Sequence, residues 1–193
     1  MKALRFLGNE IFLGTLIALL SVLTAFASWQ GSIADSKQNE NEVFGMQNLT
    51  DGNAEYLSAN QFIVYDYTMF DGWYTSDTDE LAAYYEASYS PQLQDAIAAD
   101  PDNPFSDAYY DAMYAPAYDY WEMSEAHFEA AGQWDNRGDG LQLVMLIMAL
   151  GLAFAAWASL LREESNLRLF FSLFGLLALF AGILTLLGVP TIS

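Results

Sequence analysis

Three apolar runs and one long polar run set the plan of this chain. Residues 11–29, 141–161 and 169–189 carry no charged side chain over 19, 21 and 21 positions. Each is long enough to cross about 30 Å of hydrocarbon as a helix. Lipid offers the backbone no hydrogen-bond partners, so helices are the natural spanning form. The pattern predicts an all-α integral membrane protein with three transmembrane helices. Its segments are an N-terminus (1–10), a first span (11–29), a polar domain (30–139), a second span (140–161), a turn (162–168), a third span (169–189) and a short tail (190–193). Small residues four apart, Gly14/Ala18, Gly151/Ala155 and Ala178/Gly182, are candidates for close helix–helix packing. No Asp, Glu, Lys, Arg or His lies in the three runs. That disfavours an ion pump or proton relay, which needs ionisable groups at membrane depth.

The polar domain also reads as helical. No proline interrupts residues 31–70, so the first helix is expected to continue outward, with Asp71-Gly72 as its stop. Val43, Met46, Thr50, Ala54 and Leu57 recur at three- and four-residue steps and predict the buried face of that helix. Ser76 with Asp79 starts a helix to about Ser88, and Ser90-Pro91 starts another, proline being tolerated in the first turn. Asp100-Pro101-Asp102-Asn103-Pro104 predicts a turn, after which Ser106 caps a longer helix. Tyr110, Tyr114, Ala117, Trp121, Ser124, Phe128 and Ala131 step by four and three along it, a stripe expected to pack antiparallel on residues 43–64. Pro116 should kink or divide this helix, and Gly138 and Gly140 should form a joint at the membrane surface.

Charge divides the chain as sharply as hydropathy does. The 193 residues hold 25 acids, 6 bases and no cysteine. Residues 30–139 contain 22 of the acids against Lys37 and Arg137, a net −20. Such a segment is unsuited to nucleic acid or anionic head groups, and without cysteine there is no disulfide framework. Lys2 and Arg5 before the first span, with Arg162 and Arg168 beside the short turn, mark the cytoplasmic side. The N-terminus is then cytoplasmic and residues 30–139 extracytoplasmic. Ala25-Phe26-Ala27 has the form of a signal-peptidase site, but the apolar run exceeds a signal peptide's 7–15 residues, which favours a retained anchor. Asp77-Thr78-Asp79-Glu80 and Asp135-Asn136-Arg137-Gly138-Asp139-Gly140 lack the full ligand ladder of a calcium loop. Weak Ca2+ attraction by the acidic surface is the most they imply.

All 12 tyrosines fall within the polar domain. Tyr67, Trp73, Tyr74, Tyr110, Tyr118 and Trp121 form a candidate interaction surface, since Tyr and Trp join large apolar area to a polar tip. The competing reading is a core built from aromatics for want of Leu and Ile. His127, the single histidine, is preceded by Ser124 where a di-iron bundle requires Glu. No catalytic, cofactor-binding or metal-ligating residue is identifiable, so an enzyme is not expected.

The order of parts has a parallel. A basic N-terminus leads to an anchor ending Leu23-Thr24-Ala25-Phe26-Ala27-Ser28-Trp29-Gln30, then a polar helical domain. Gly138-Asp139-Gly140-Leu141-Gln142-Leu143 enters the next span, and a helical hairpin closes the chain. This resembles a family of three-span bacterial membrane proteins catalogued as a domain of unknown function, although the acidic, Tyr-rich middle and the sparse basic residues of the hairpin turn depart from it. The resemblance implies a multi-pass protein of a bacterial or archaeal cell membrane and carries over no catalytic residue. The expected role is a membrane-anchored interaction or scaffold protein whose partners are the lipid bilayer and a protein or a second copy of itself. An accessory subunit of a larger membrane complex is the alternative, and an oligomeric pore or cation-attracting sensor a more distant one.

Overall fold

A computed structural model of the chain describes residues 4–192, with side chains from Phe6 to Ile192. Lys2, Ser193 and the Arg5 side chain lie outside the described residues. A short 3-10 helix (Leu4–Gly8) precedes α1 (Glu10–Tyr74), α2 (Asp79–Glu86), α3 (Pro91–Ala99), α4 (Asp107–Leu160) and α5 (Asn166–Leu187), and no strand occurs among the described residues. α1, α4 and α5 each contain a segment long and apolar enough to cross a membrane, the pattern of a multi-pass membrane protein. The chain divides into two compact units, one of residues 1–41 with 129–193 and one of Glu42–Phe128. α1 and α4 contribute to both.

In the first unit the three apolar segments meet through small residues. Lipid tails are as apolar as leucine, so helices there associate by close approach and dispersion rather than by escape from water. Leu16 and Leu20 of α1, Val144, Met148 and Ala155 of α4 and Leu179 of α5 share one core. A Cβ on Gly151 would lie 2.9 Å from both Ala178 Cβ and Leu20 Cδ2, and one on Gly182 2.5 Å from Met148 Cε. Gly14 differs: nothing lies within 4 Å of its Cβ position, and Ala18 is exposed beside it. Leu146, Trp157 and Leu184 are 59–70% exposed, as side chains facing lipid would be.

Two arginines fasten the ends of this unit. Arg137 of α4 donates to Gln30 Oε1 at 3.2 Å and to the Pro190 carbonyl. α5 begins at Asn166, with Ser165 Oγ accepting from the Leu167 amide at 3.3 Å. The expected turn 162–168 is therefore shorter, and Arg168 lies in the first turn of α5. It is 3% exposed and donates from Nη1 to the Leu161 carbonyl at 2.7 Å. The last carbonyls of a helix lack partners and carry the negative end of its dipole, which explains why a guanidinium settles beneath the end of α4.

The second unit reverses one expectation. Val43, Met46, Thr50, Ala54 and Leu57 face outward; Val43, Met46 and Leu57 are 47%, 56% and 62% exposed. α1 buries a different stripe, Gly45, Gly52, Ala59, Ile63 and Asp66. The partner decides the matter. α4 presents the large side chains Phe128, Trp121 and Tyr114, so α1 must present hollows, and bulk on both helices would overpack the seam. The Cβ position of Gly45 is 2.8 Å from the Phe128 ring, and that of Gly52 is 2.6 Å from Trp121 Cδ1 and 3.2 Å from the Ala117 carbonyl. Ser124 Oγ donates to the Gly45 carbonyl at 2.8 Å. Further along, Tyr114 donates to Asn60 Oδ1 at 2.9 Å and stacks on Tyr56, and the Tyr67 and Tyr110 hydroxyls lie 2.6 Å apart. Partner numbers rise on α1 as they fall on α4, so the pair is antiparallel.

α4 is not divided at either expected place. Pro116 lies within the helix, which loses one amide donor there and continues. Gly138 and Gly140 are helical too; their Cβ positions are 3.2 Å from Asp35 Oδ1 and 3.3 Å from Val189 Cγ2. These glycines provide clearance rather than a hinge.

The hollows give a paired prediction. Gly52→Ala gains helix propensity yet must displace Trp121, and it should destabilise the protein by about 1–3 kcal/mol. Gly132→Ala, with nothing within 4 Å of its Cβ position, should instead stabilise by about 0.5–1 kcal/mol. Thermal unfolding of the full chain in detergent, followed by circular dichroism, reads both signs.

Candidate functional site

The densest polar and aromatic chemistry lies in the second unit, where α1, α3 and the start of α4 converge. Its core is Ala59, Ile63, Tyr89, Leu93, Tyr109 and Met113, with Phe70 and Phe105 packed against it. Phe105 stacks on Tyr67 at 4.1 Å between ring centres and meets Phe70 and Tyr109 edge-on at 5.3 Å each. Offset and edge-on contacts of this kind suit the ring quadrupoles.

A buried carboxylate organises this core. Asp66 is 0% exposed. Its Oδ1 accepts the Ser90 amide at 2.8 Å, and its Oδ2 accepts the Ser90 hydroxyl at 2.5 Å and the Tyr109 hydroxyl at 2.8 Å. Ser90 Oγ also accepts from the Leu93 amide at 3.1 Å, which makes Ser90 the N-cap of α3, with Pro91 in the first turn. A buried charge is tolerable only when its lone pairs are used, and here three donors use them. The carboxylate thus holds a helix start on α1.

Beside this core runs an open groove of about 460 Å³. α1 contributes Glu55, Phe62 and Tyr65 to it; Ser88 and Gln92 also line it, and Met113 and Pro116 come from α4. Phe62 and Tyr65 are 55% and 45% exposed. Tyr89 also lines the groove; its hydroxyl is buried without a hydrogen-bond partner, as is the Trp121 indole nitrogen. Each such orphan costs about 1–3 kcal/mol.

Burial and hydrogen bonding make several of these tyrosines less acidic than a free one. Burial pushes the Tyr89 hydroxyl up to about 12, with the Glu86 and Asp66 carboxylates adding to the effect. Tyr109 is pushed up further, by burial first and then by the hydrogen bond it gives Asp66. Tyr110 rises to about 12, chiefly through its hydrogen bond with Tyr67, and Tyr114 rises through burial.

The six aromatics of the candidate interaction surface separate into two sets. Tyr67, Tyr110 and Trp121 take part in the packing between α1 and α4. Tyr74 is 78% exposed at the end of α1, Tyr118 is 49% exposed, and Trp73 is 39% exposed beside Phe70. His127 lies next to Phe44, 5.5 Å between ring centres. Among the described residues no group of three or more His, Cys, Asp or Glu could hold a metal ion. Sequence reasoning missed Asp66 and the groove. The signal for Asp66 was present: an acid in step with Ala59, Ile63 and Phe70, where a helix buries its residues.

The charge of this unit is one-sided. Glu42–Phe128 contains 17 acids and neither Lys nor Arg. Comparison with protein-family models, with curated proteins and with solved structures found no match to this chain.

Two outcomes follow from the site. Asp66→Ala strands the Ser90 amide and two hydroxyls and should cost about 3 kcal/mol or more, whereas Asp66→Asn keeps an acceptor for the amide and should cost less; thermal unfolding separates them. The second concerns pH. An unfolded tyrosine ionises near pH 10, while Tyr89 and Tyr110 hold their protons to about 12. Between these values the unfolded chain has lost protons that the native chain keeps, so stability falls as pH rises through the window. Below pH 10 these groups add no pH dependence. Tyrosinate absorbance should show a late-titrating subset of tyrosines whose ionisation coincides with loss of helical ellipticity.

Proposed function

We propose that this protein is a non-enzymatic, membrane-anchored interaction protein of a bacterial or archaeal cell membrane, one that presents an acidic aromatic helical module on the outer side. The observation that carries the reading is the apolar stripe that α1 leaves uncovered in the second unit: Val43, Met46 and Leu57, each about half exposed or more. Exposed apolar area on a polar segment is characteristic of an interaction surface. Exposed Tyr74, Tyr84 and Tyr118 add area of the kind interfaces favour. Orientation rests on the basic residues: Lys2, Arg5, Arg162 and Arg168 flank the spans on one side, and the segment between the first and second spans falls on the other. The order of the chain's parts supports membership of the three-span family of unknown function that it resembles.

A second reading is favoured by the open space at Gly14. With Ala18 exposed next to it, this part of α1 has room for another helix. The protein would then be an accessory subunit of a larger membrane complex, with its spans as the interface.

The chain has no cysteine, so single replacements report sidedness cleanly. A membrane-impermeant maleimide added to intact spheroplasts should label Tyr74→Cys and leave Glu164→Cys untouched; the reverse pattern overturns the orientation. A photoreactive residue at Leu57 should cross-link a discrete partner in cells, and one at Gly14 should not. Adducts at Gly14 alone favour the accessory-subunit reading.

A further inference from the structure

We propose that the groove between α1, the start of α3 and α4 binds an alkylammonium or guanidinium group on an aliphatic stem, carried by a free polyamine or by a Lys or Arg side chain of a partner. This deepens the interaction reading above and rests on it for the identity of the carrier. Three observations converge. The groove, about 460 Å³, accommodates a linear chain of several carbons and its cationic head. Its lining is both apolar and polar. Ala59, Phe62, Met113 and Pro116 offer apolar surface for a methylene stem, and Glu55 offers a carboxylate for the head. Phe62 and Tyr65, about half exposed, add aromatic surface that attracts a cation, and Ser88 and Gln92 bring oxygen acceptors for N–H donors.

The third observation is the sign of the surroundings. Seventeen acids and no Lys or Arg occupy Glu42–Phe128, so an anionic ligand is repelled and a cationic one drawn in from a distance. The Tyr89 ring also belongs to the groove wall. Diffuse attraction by an acidic surface needs no apolar floor and distinguishes no single carboxylate. A built groove does both, and that difference makes the proposal testable.

The test uses the full chain in nonionic detergent, titrated calorimetrically with spermidine and, separately, with a blocked Gly-Lys-Gly tripeptide. The expected result is saturable one-to-one binding of at least one probe. It should be weakened at least about tenfold by Glu55→Gln or Phe62→Ala and unchanged in Glu122→Gln, whose carboxylate lies outside the groove. Tighter binding of spermidine identifies a free polyamine as the natural occupant; tighter binding of the tripeptide identifies a protein-borne side chain; either supports the groove. Equal weakening in Glu55→Gln and Glu122→Gln, with collapse of binding in added salt, shows diffuse attraction and overturns the proposal. So does the absence of saturable binding to both probes while circular dichroism shows an intact fold. Cross-linking from Leu57 reads the interaction role independently, so a partner captured there by a chain with an inert groove leaves that role standing and removes this inference.

Discussion

The second unit depends on one steric exchange. α1 supplies hollows at Gly45 and Gly52, and α4 fills them with Phe128 and Trp121. Because the fit is of large side chains into gaps, it specifies register more tightly than a seam of leucines, which can slide. That register brings Tyr114 to Asn60 and Tyr110 to Tyr67, and it brings the start of α4 to Asp66. Only then do Asp66 and Tyr109 together offer a polar clasp on which Ser90 can begin α3. The groove, and the outward turn of Val43, Met46 and Leu57, are consequences of the same choice of face.

Much of the architecture is legible in the residues, and the part that is not has a definable cause. Spans longer than eighteen apolar positions declare themselves because the length of the run is itself the physics. The stripe on α4 is legible because its residues are large and step regularly. The matching face of α1 is not, because periodicity arguments assume that apolar bulk turns inward. Gly45, Gly52 and Ala59 are buried by virtue of being small, and small residues carry little weight in a hydropathy pattern. Val43, Met46 and Leu57 offer a better pattern and lie on the outside. Pro116 and the Gly138–Gly140 pair are breakers by propensity, yet all three stand inside one helix of 54 residues, which continues past a missing amide and uses the glycines for clearance.

Asp66 shows how a candidate site can be hidden by its neighbours. Tyr65-Asp66-Tyr67 looks like an exposed acidic–aromatic tract, and in this chain most acids are exposed. What distinguishes Asp66 is a donor set that comes from residues 24 and 43 positions away, which no local pattern reveals. The groove is assembled in the same way, from three segments that share no motif. The unpaired Tyr89 hydroxyl and Trp121 nitrogen mark where aromatic packing takes precedence over polar satisfaction.

The absence of Lys and Arg from Glu42–Phe128 reaches beyond electrostatics. Proteases that seat a basic side chain in their specificity pocket have no cleavage point between Lys37 and Arg137, even in the denatured chain. Trypsin would release this whole stretch as a single peptide of 100 residues. Enzymes that acylate or ubiquitylate lysine likewise find no substrate there. A segment of this composition would be exempt from a broad class of processing and modification while remaining open to proteases that recognise aromatic side chains.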